Sequence, residues 1–216
     1  LLILIYFFLS DKFKEPKGTI ALVFGLGVLI CLPAGIINEF MEVNFSNIFS
    51  ERLLYSFLGP AWGEEILKFL ILYTIVLKRN EFNEPMDGLV YGVVVSLGFA
   101  TYENYTYVYE WAVQIAKEEN ASAETFSYFV ALGRSYSAVP MHGLNGAVMG
   151  YYFGMYIFKG DRSFLYLSLA LPYLFHGFYN YLEFPISMII IIILTITSLR
   201  LHSKLKNLQK SKRFVE

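Results

Sequence analysis

The apolar positions of this chain fall in long uninterrupted blocks, not in the narrow stripes of surface helices. Five blocks carry no Asp, Glu, Lys or Arg: Thr19–Asn38, Gly88–Tyr102, Ser135–Phe158, Phe164–Leu182 and Phe184–Leu199. A charge-free run of about 18 residues or more reads as a transmembrane helix, and these blocks fall around that length. Leu53–Leu77 forms a sixth block, interrupted only by Glu64, Glu65 and Lys68. Leu1–Leu9 is a seventh, too short to span. Because the chain starts without Met, further residues are expected ahead of that block. A signal peptide is the competing reading, but no small-residue cleavage site follows.

Between the blocks, basic and non-basic loops alternate. Lys12, Lys14 and Lys17 occupy the first loop, whereas Glu39, Glu42 and Glu51 outnumber Arg52 in the second. Lys78 and Arg79 mark the third. The fourth is acidic, with Glu110, Glu118, Glu119 and Glu124 against Lys117, and the fifth holds Lys159 and Arg162. The turn at Glu183 has no base, and the tail carries Arg200, Lys204, Lys206, Lys210, Lys212 and Arg213. Most of the 17 Lys and Arg residues thus lie on one side. Under the positive-inside rule that side is cytoplasmic, the chain crosses seven times, and the C-terminus is inside. Tyr105, Tyr107, Tyr109 and Trp111 then fit an interfacial aromatic belt on the outer side. The longest connection, Glu110–Gly133, is expected to form a short helix on the outer surface, with Arg134 marking the start of the fifth span.

Composition agrees with this all-α, polytopic bundle. The chain is 56% hydrophobic and 16% charged, too few charges to cover a soluble surface of 216 residues. Cys31 stands alone, which excludes an intramolecular disulfide. The pattern predicts one domain over residues 1–216, with residues 200–216 as a basic cytoplasmic tail. The lipid bilayer is the expected surround, and no nucleic-acid partner is expected.

The ionisable residues inside the blocks are the candidate chemistry. Each costs roughly 2.5–3.5 kcal/mol at a helix centre. Lys68 lies one turn from both glutamates and can neutralise one of them. Neighbouring helix positions differ by about 100°, so one glutamate can pair with Lys68 while the other faces a cavity. Glu103, His142 and His176 lie in three other blocks, with Asn180 one turn beyond His176. Glu65, Glu103, His142 and His176 lie 12–16 residues from the cytoplasmic ends of their spans, roughly 18–24 Å deep at 1.5 Å per residue. Four helices therefore bring two carboxylates and two imidazoles to one level. Pro60, Pro140 and Pro172 precede these residues closely and are expected to free carbonyls and kink the helices. Gly146, Gly150 and Gly154 continue the face of His142 as a small-residue packing stripe.

At these residues the chain resembles the PrsW family of intramembrane proteases, a branch of the CAAX-protease and bacteriocin-processing superfamily. The resemblance rests on Glu64-Glu65-Ile66-Leu67-Lys68, on Phe99 through Glu103, on His142-Gly143-Leu144-Asn145-Gly146, and on His176-Gly177-Phe178-Tyr179-Asn180. It covers about residues 50–185. It implies a multi-helix peptidase of the prokaryotic plasma membrane acting on membrane-anchored proteins, with first-site cleavage of an anti-sigma factor as the family's best-known role. Glu103 stands where the CAAX prenyl proteases have a histidine, and Lys68 replaces an arginine found further along. A prenylated substrate is therefore not expected.

Two mechanisms fit the residues. In one, Glu103, His142 and His176 bind Zn²⁺ and leave a position for water, while a glutamate of the 64/65 pair takes the proton. In the other, that glutamate and a histidine activate water without metal, and His176 with Asn180 stabilises the oxyanion. Glu65 is the preferred base in both, and Lys68 holds the other glutamate. A proton-coupled transporter also keeps ionisable groups at mid-depth, but no inverted repeat is visible. A non-catalytic membrane scaffold is the other alternative.

Overall fold

The computed structural model describes residues 2–45 and 52–210, and every regular element among them is helical. The helices are α1 (Leu2–Ser10), α2 (Lys17–Phe45), α3 (Arg52–Ser56), α4 (Trp62–Thr74), α5 (Pro85–Tyr105), α6 (Ala112–Glu118), α7 (Ala123–Tyr136), α8 (Ala138–Lys159), α9 (Arg162–Tyr181) and α10 (Ser187–Lys210). Lys17–Val43 and Ser187–Lys210 are long and apolar enough to cross a membrane. Between them, α3, α4, α6 and α7 are shorter, and α5, α8 and α9 spend positions on Gly, Tyr, Glu, His and Asn that lower their hydropathy.

α5 runs through the centre, buried from Pro85 to Ala100, and packs along α8 on one side and α2 on another. Glycine makes this approach possible. A Cβ on Gly92 would strike the carbonyl oxygen of Gly146, one on Gly150 that of Gly88, and one on Gly98 that of Phe24. Backbones this close gain dispersion contacts that bulkier residues would forbid. The Gly146–Gly154 stripe thus finds its partner in Gly88 and Gly92.

The distribution of side chains is inverted relative to a soluble protein. Lys68, Glu65 and Asn145 are buried, while Leu29, Ile36, Phe40, Ile189 and Ile192 are exposed. Buried polar groups and exposed large apolar ones are the informative deviations from ordinary burial, and together they suit a hydrocarbon surround.

Several local expectations are revised. The block Leu53–Leu77 is not one straight helix. α3 passes through a widened turn at Phe57–Ala61, where Gly59 leaves helical geometry (φ −83°, ψ −113°), before α4 begins. Pro60 removes the donor that would have continued the ladder there. Pro172 lies inside α9. Pro140 makes no kink, because it sits in the first turn of α8, where its missing N–H has no intrahelical partner to lose. The segment after Glu110 forms two helices, α6 and α7, joined through Asn120 at φ 54°. Arg134 belongs to the last turn of α7, not to the start of α8. Residues 200–210, expected as tail, complete α10 and bury Leu201, His202, Leu205 and Gln209; residues 211–216 lie outside the described residues.

The glycine contacts predict a graded response. Gly92→Ala and Gly98→Ala should each cost about 1–3 kcal/mol through overpacking. Gly25→Ala, with open space around its Cβ, should leave stability unchanged or raise it by about 0.5–1 kcal/mol. Thermal unfolding of the purified variants in one detergent measures the difference; equal melting for all three would refute the close-packed α2–α5–α8 seam.

Candidate active site

α4, α5, α8 and α9 bring Glu64, Glu65, Lys68, Glu103, His142 and His176 together; Glu64, Glu103, His142 and His176 line a cavity of about 740 Å³, with Glu65 and Lys68 behind them. The wide turn at Phe57–Ala61 sets the start of α4, so both glutamates sit in its first turn.

The two glutamates have different surroundings. Glu65 Oε1 accepts from Lys68 Nζ at 2.8 Å and lies 2.8 Å from His176 Nδ1. Glu64 lines the cavity, its Oε2 has no hydrogen-bond partner, and it lies 3.7 Å from Lys68 Nζ and 3.9 Å from His176 Nε2. Lys68, fully buried, also reaches His142 Nδ1 at 3.0 Å and stands 4.3 Å over the ring of Phe99. His142 Nε2 meets Glu103 Oε2 at 2.9 Å, and Arg134 Nη2 donates to the same oxygen at 2.6 Å.

These contacts assign tautomers by hydrogen-bond logic. Nδ1 of His142 accepts from the Lys68 ammonium, so its Nε2 carries the proton and donates to Glu103. Nδ1–H of His176 donates to Glu65, and Nε2 is the ring nitrogen nearest Glu64. A carboxylate behind an imidazole fixes ring and tautomer in this way at many metal and catalytic sites.

The metal-ligand grouping differs from the expected one. Glu64, His142 and His176 place potential ligand atoms within 4.8 Å of one another, all buried. Glu103, expected in that set, has Oε2 shared between Arg134 and His142. Glu65, the expected base, is held by Lys68 and His176. Asn180 lines the cavity and is half-buried.

Three contributors were not singled out from sequence. Arg134 closes the network from α7 and stacks 4.1 Å over Tyr107; an arginine at the very edge of an apolar block was the available signal. Phe99 lies beneath Lys68. Asn145 donates to the Pro172 carbonyl at 2.9 Å, tying α8 to α9 one turn before His176. Both Phe99 and Asn145 lie inside the recurring motifs.

The three carboxylates of Glu64, Glu65 and Glu103, two imidazoles and a lysine beside a cavity are the groups that a hydrolase embedded in a helical bundle would need. Residues 15–201 match the family described as PrsW family intramembrane metalloprotease, and the chain belongs to that family. It is 34% identical over 183 residues to Protease PrsW of Geobacillus kaustophilus (strain HTA426), covering 83% of this chain and 74% of the relative. It is 36% identical over 184 residues to Protease PrsW of Bacillus subtilis (strain 168), covering 83% and 77%. No solved structure matches the chain.

Removing Lys68 should expose the cost of the buried charges. Lys68→Met is expected to lower stability by about 3–5 kcal/mol, because Glu65 loses its cation in a desolvated place. Combining it with Glu65→Gln should recover much of that loss. Melting curves of the single and double variants test this, and additive losses would show that the pair is not coupled.

Proposed function

We propose that the chain hydrolyses peptide bonds of membrane-anchored proteins with water activated at Glu64. One observation carries this reading: both glutamates keep a buried Oε2 without a partner, but Glu64, unlike Glu65, lines the cavity, with that oxygen beside His176 Nε2. An acceptor left open in that position is what a general base requires.

In this mechanism Glu64 takes a proton from water as the water oxygen bonds to the scissile carbonyl carbon. Collapse of the tetrahedral intermediate breaks the C–N bond, and Glu64 returns the proton to the departing amine. Glu65 and Lys68 do not exchange protons with substrate; they hold His176 and His142 in register. Asn180 supplies an amide donor toward the oxyanion from the cavity wall.

The residues also fit a zinc ion. One carboxylate and two imidazoles are a suitable catalytic donor set with a fourth position for water, and the orphaned Glu64 oxygen lies among them. Glu64, His142 and His176 would hold the ion, Glu64 then serving as a ligand in place of its role as base, and ligation through His142 would displace either Lys68 or Glu103 from its ring. Bound there, zinc would lower the pKa of water and polarise the substrate carbonyl.

The seven-span topology with a cytoplasmic C-terminus follows the loop charges. The bacterial relatives support a plasma-membrane location.

Co-expression with a panel of single-span proteins, an anti-sigma-factor-like protein among them, tests the reading. Glu64→Gln and His176→Ala should each slow cleavage by about 10²–10⁴-fold while remaining folded. If wild type cuts nothing that these variants spare, the protease assignment for this site fails. Chelation followed by one equivalent of Zn²⁺ should abolish and restore cleavage. Full activity in protein with substoichiometric metal would sink the zinc component and leave Glu64 as base.

A further inference from the structure

A second group of carboxylates lies at the far end of α5. Asp11 and Glu15 come from the loop between α1 and α2, Glu84 precedes α5, and Asp87 is in its first turn. Asp87 is 16 positions before Glu103 on the same helix, about 24 Å away along the axis. All four are buried, with exposures of 0–5%. Asp11, Glu15 and Asp87 place oxygens within 4.8 Å of one another. Among the described residues, none of the four forms an ion pair with Lys, Arg or His.

Neutral donors cover only part of the group. Gln209 Nε2 donates to Asp11 Oδ1 at 2.7 Å and to Glu84 Oε1. Tyr91 Oη donates to Glu15 Oε2, and the backbone N–H groups of Asn83 and Glu84 donate to Asp87 Oδ2, each at 2.8 Å. Asp11 Oδ2, Glu84 Oε2 and Asp87 Oδ1 are buried with no partner at all. Burial pushes the Glu84 carboxyl up to about 7 and raises Asp11 as well, the expected result for anions removed from water without a cation.

We propose that Asp11, Glu15 and Asp87, with Glu84 beside them, bind a hard divalent cation of the Mg²⁺, Mn²⁺ or Ca²⁺ class. Oxygen-only donors select such ions over zinc or copper. Metal–oxygen distances of about 2.0–2.6 Å place ligand oxygens within roughly 4–5 Å of each other, which matches the trio. The three orphaned oxygens are the acceptors such an ion would satisfy. The site joins the α1–α2 loop, the start of α5 and, through Gln209, the end of α10. Its occupant would clamp the bundle at the end away from the catalytic cavity. The exposed Lys12, Phe13 and Lys14 belong to the short loop over it, so an ion can enter by a local movement of that loop.

The experiment uses the purified full chain in detergent, stripped with EDTA. Adding Mg²⁺, Mn²⁺ or Ca²⁺ should raise the melting temperature by roughly 5 °C at saturation. Electron paramagnetic resonance of titrated Mn²⁺ should show one bound ion that His142→Ala retains and that Glu15→Gln with Asp87→Asn loses. Asp11→Asn alone, a milder change, should weaken Mn²⁺ binding at least tenfold. Overturning results are no stabilisation by any of the three ions in the stripped wild type, or Mn²⁺ binding abolished by His142→Ala and untouched by Asp11→Asn. The second result would place the ion in the cavity, and the carboxylates would then be kept neutral by shared protons. Cleavage activity is not the readout, so failure here leaves the protease assignment standing.

Discussion

The arrangement of this bundle depends on neutralising charge where water is scarce. Arg134, Glu103, His142, Lys68, Glu65 and His176 form one unbroken line of contacts of 2.6–3.0 Å. The line alternates the cations Arg134 and Lys68 with the carboxylates of Glu103 and Glu65 and the rings of His142 and His176, and Glu64 lies beside it, 3.7 Å from Lys68. Each member is held on both sides or ends at the cavity. Such networks are high-stakes: complete, they fix geometry, and incomplete, they leave a desolvated charge. The line also joins α4, α5, α7, α8 and α9, so charge pairing and helix placement are the same constraint.

Glycine lets the line close. Charged side chains can meet across helices only if the backbones approach, and α5 and α8 do so through Gly88, Gly92, Gly146 and Gly150. His142 projects from α8 one turn before Gly146, at the level where α5 presents Phe99 and Glu103. A bulkier seam would open the distance between Glu103 and His142 and leave both unsatisfied. The tight backbone contact and the polar network therefore stand or fall together.

The helical class and the grouping of the ionisable residues were legible because hydropathy and helical rise are one-dimensional properties. Glu64, Glu65, Lys68, Glu103, His142 and His176 could be grouped from counting alone. The partners within the group could not. Whether Glu103 faces a metal or an arginine depends on α7 folding back to deliver Arg134, and nothing in the spacing of 103 and 134 encodes that return. Pro140 shows the same limit. A proline inside an apolar block reads as a kink until the helix start is known, and the break at Ser137 (φ −121°, ψ −80°) places it harmlessly in a first turn. The buried carboxylates at the other end of α5 lay in loops read only for their lysines and arginines, because burial of Asp11 and Glu15 follows from a loop folding over α5.

In the proposed mechanism the adjacent glutamates meet two demands that one residue could not. His176 must be fixed in ring orientation and tautomer, which consumes a carboxylate. The reacting water must find a carboxylate that is not consumed. Two positions separated by about 100° on one helix supply both from a single turn: Glu65 turns toward Lys68 and His176, and Glu64 toward the cavity. Lys68 enforces the division, because it hydrogen-bonds Glu65 at 2.8 Å yet lies 3.7 Å from Glu64. At the greater distance it leaves that oxygen of Glu64 unoccupied. A lysine one turn from a glutamate pair thus does more than neutralise a buried charge. It decides which of two identical side chains is structural and which is left open for chemistry.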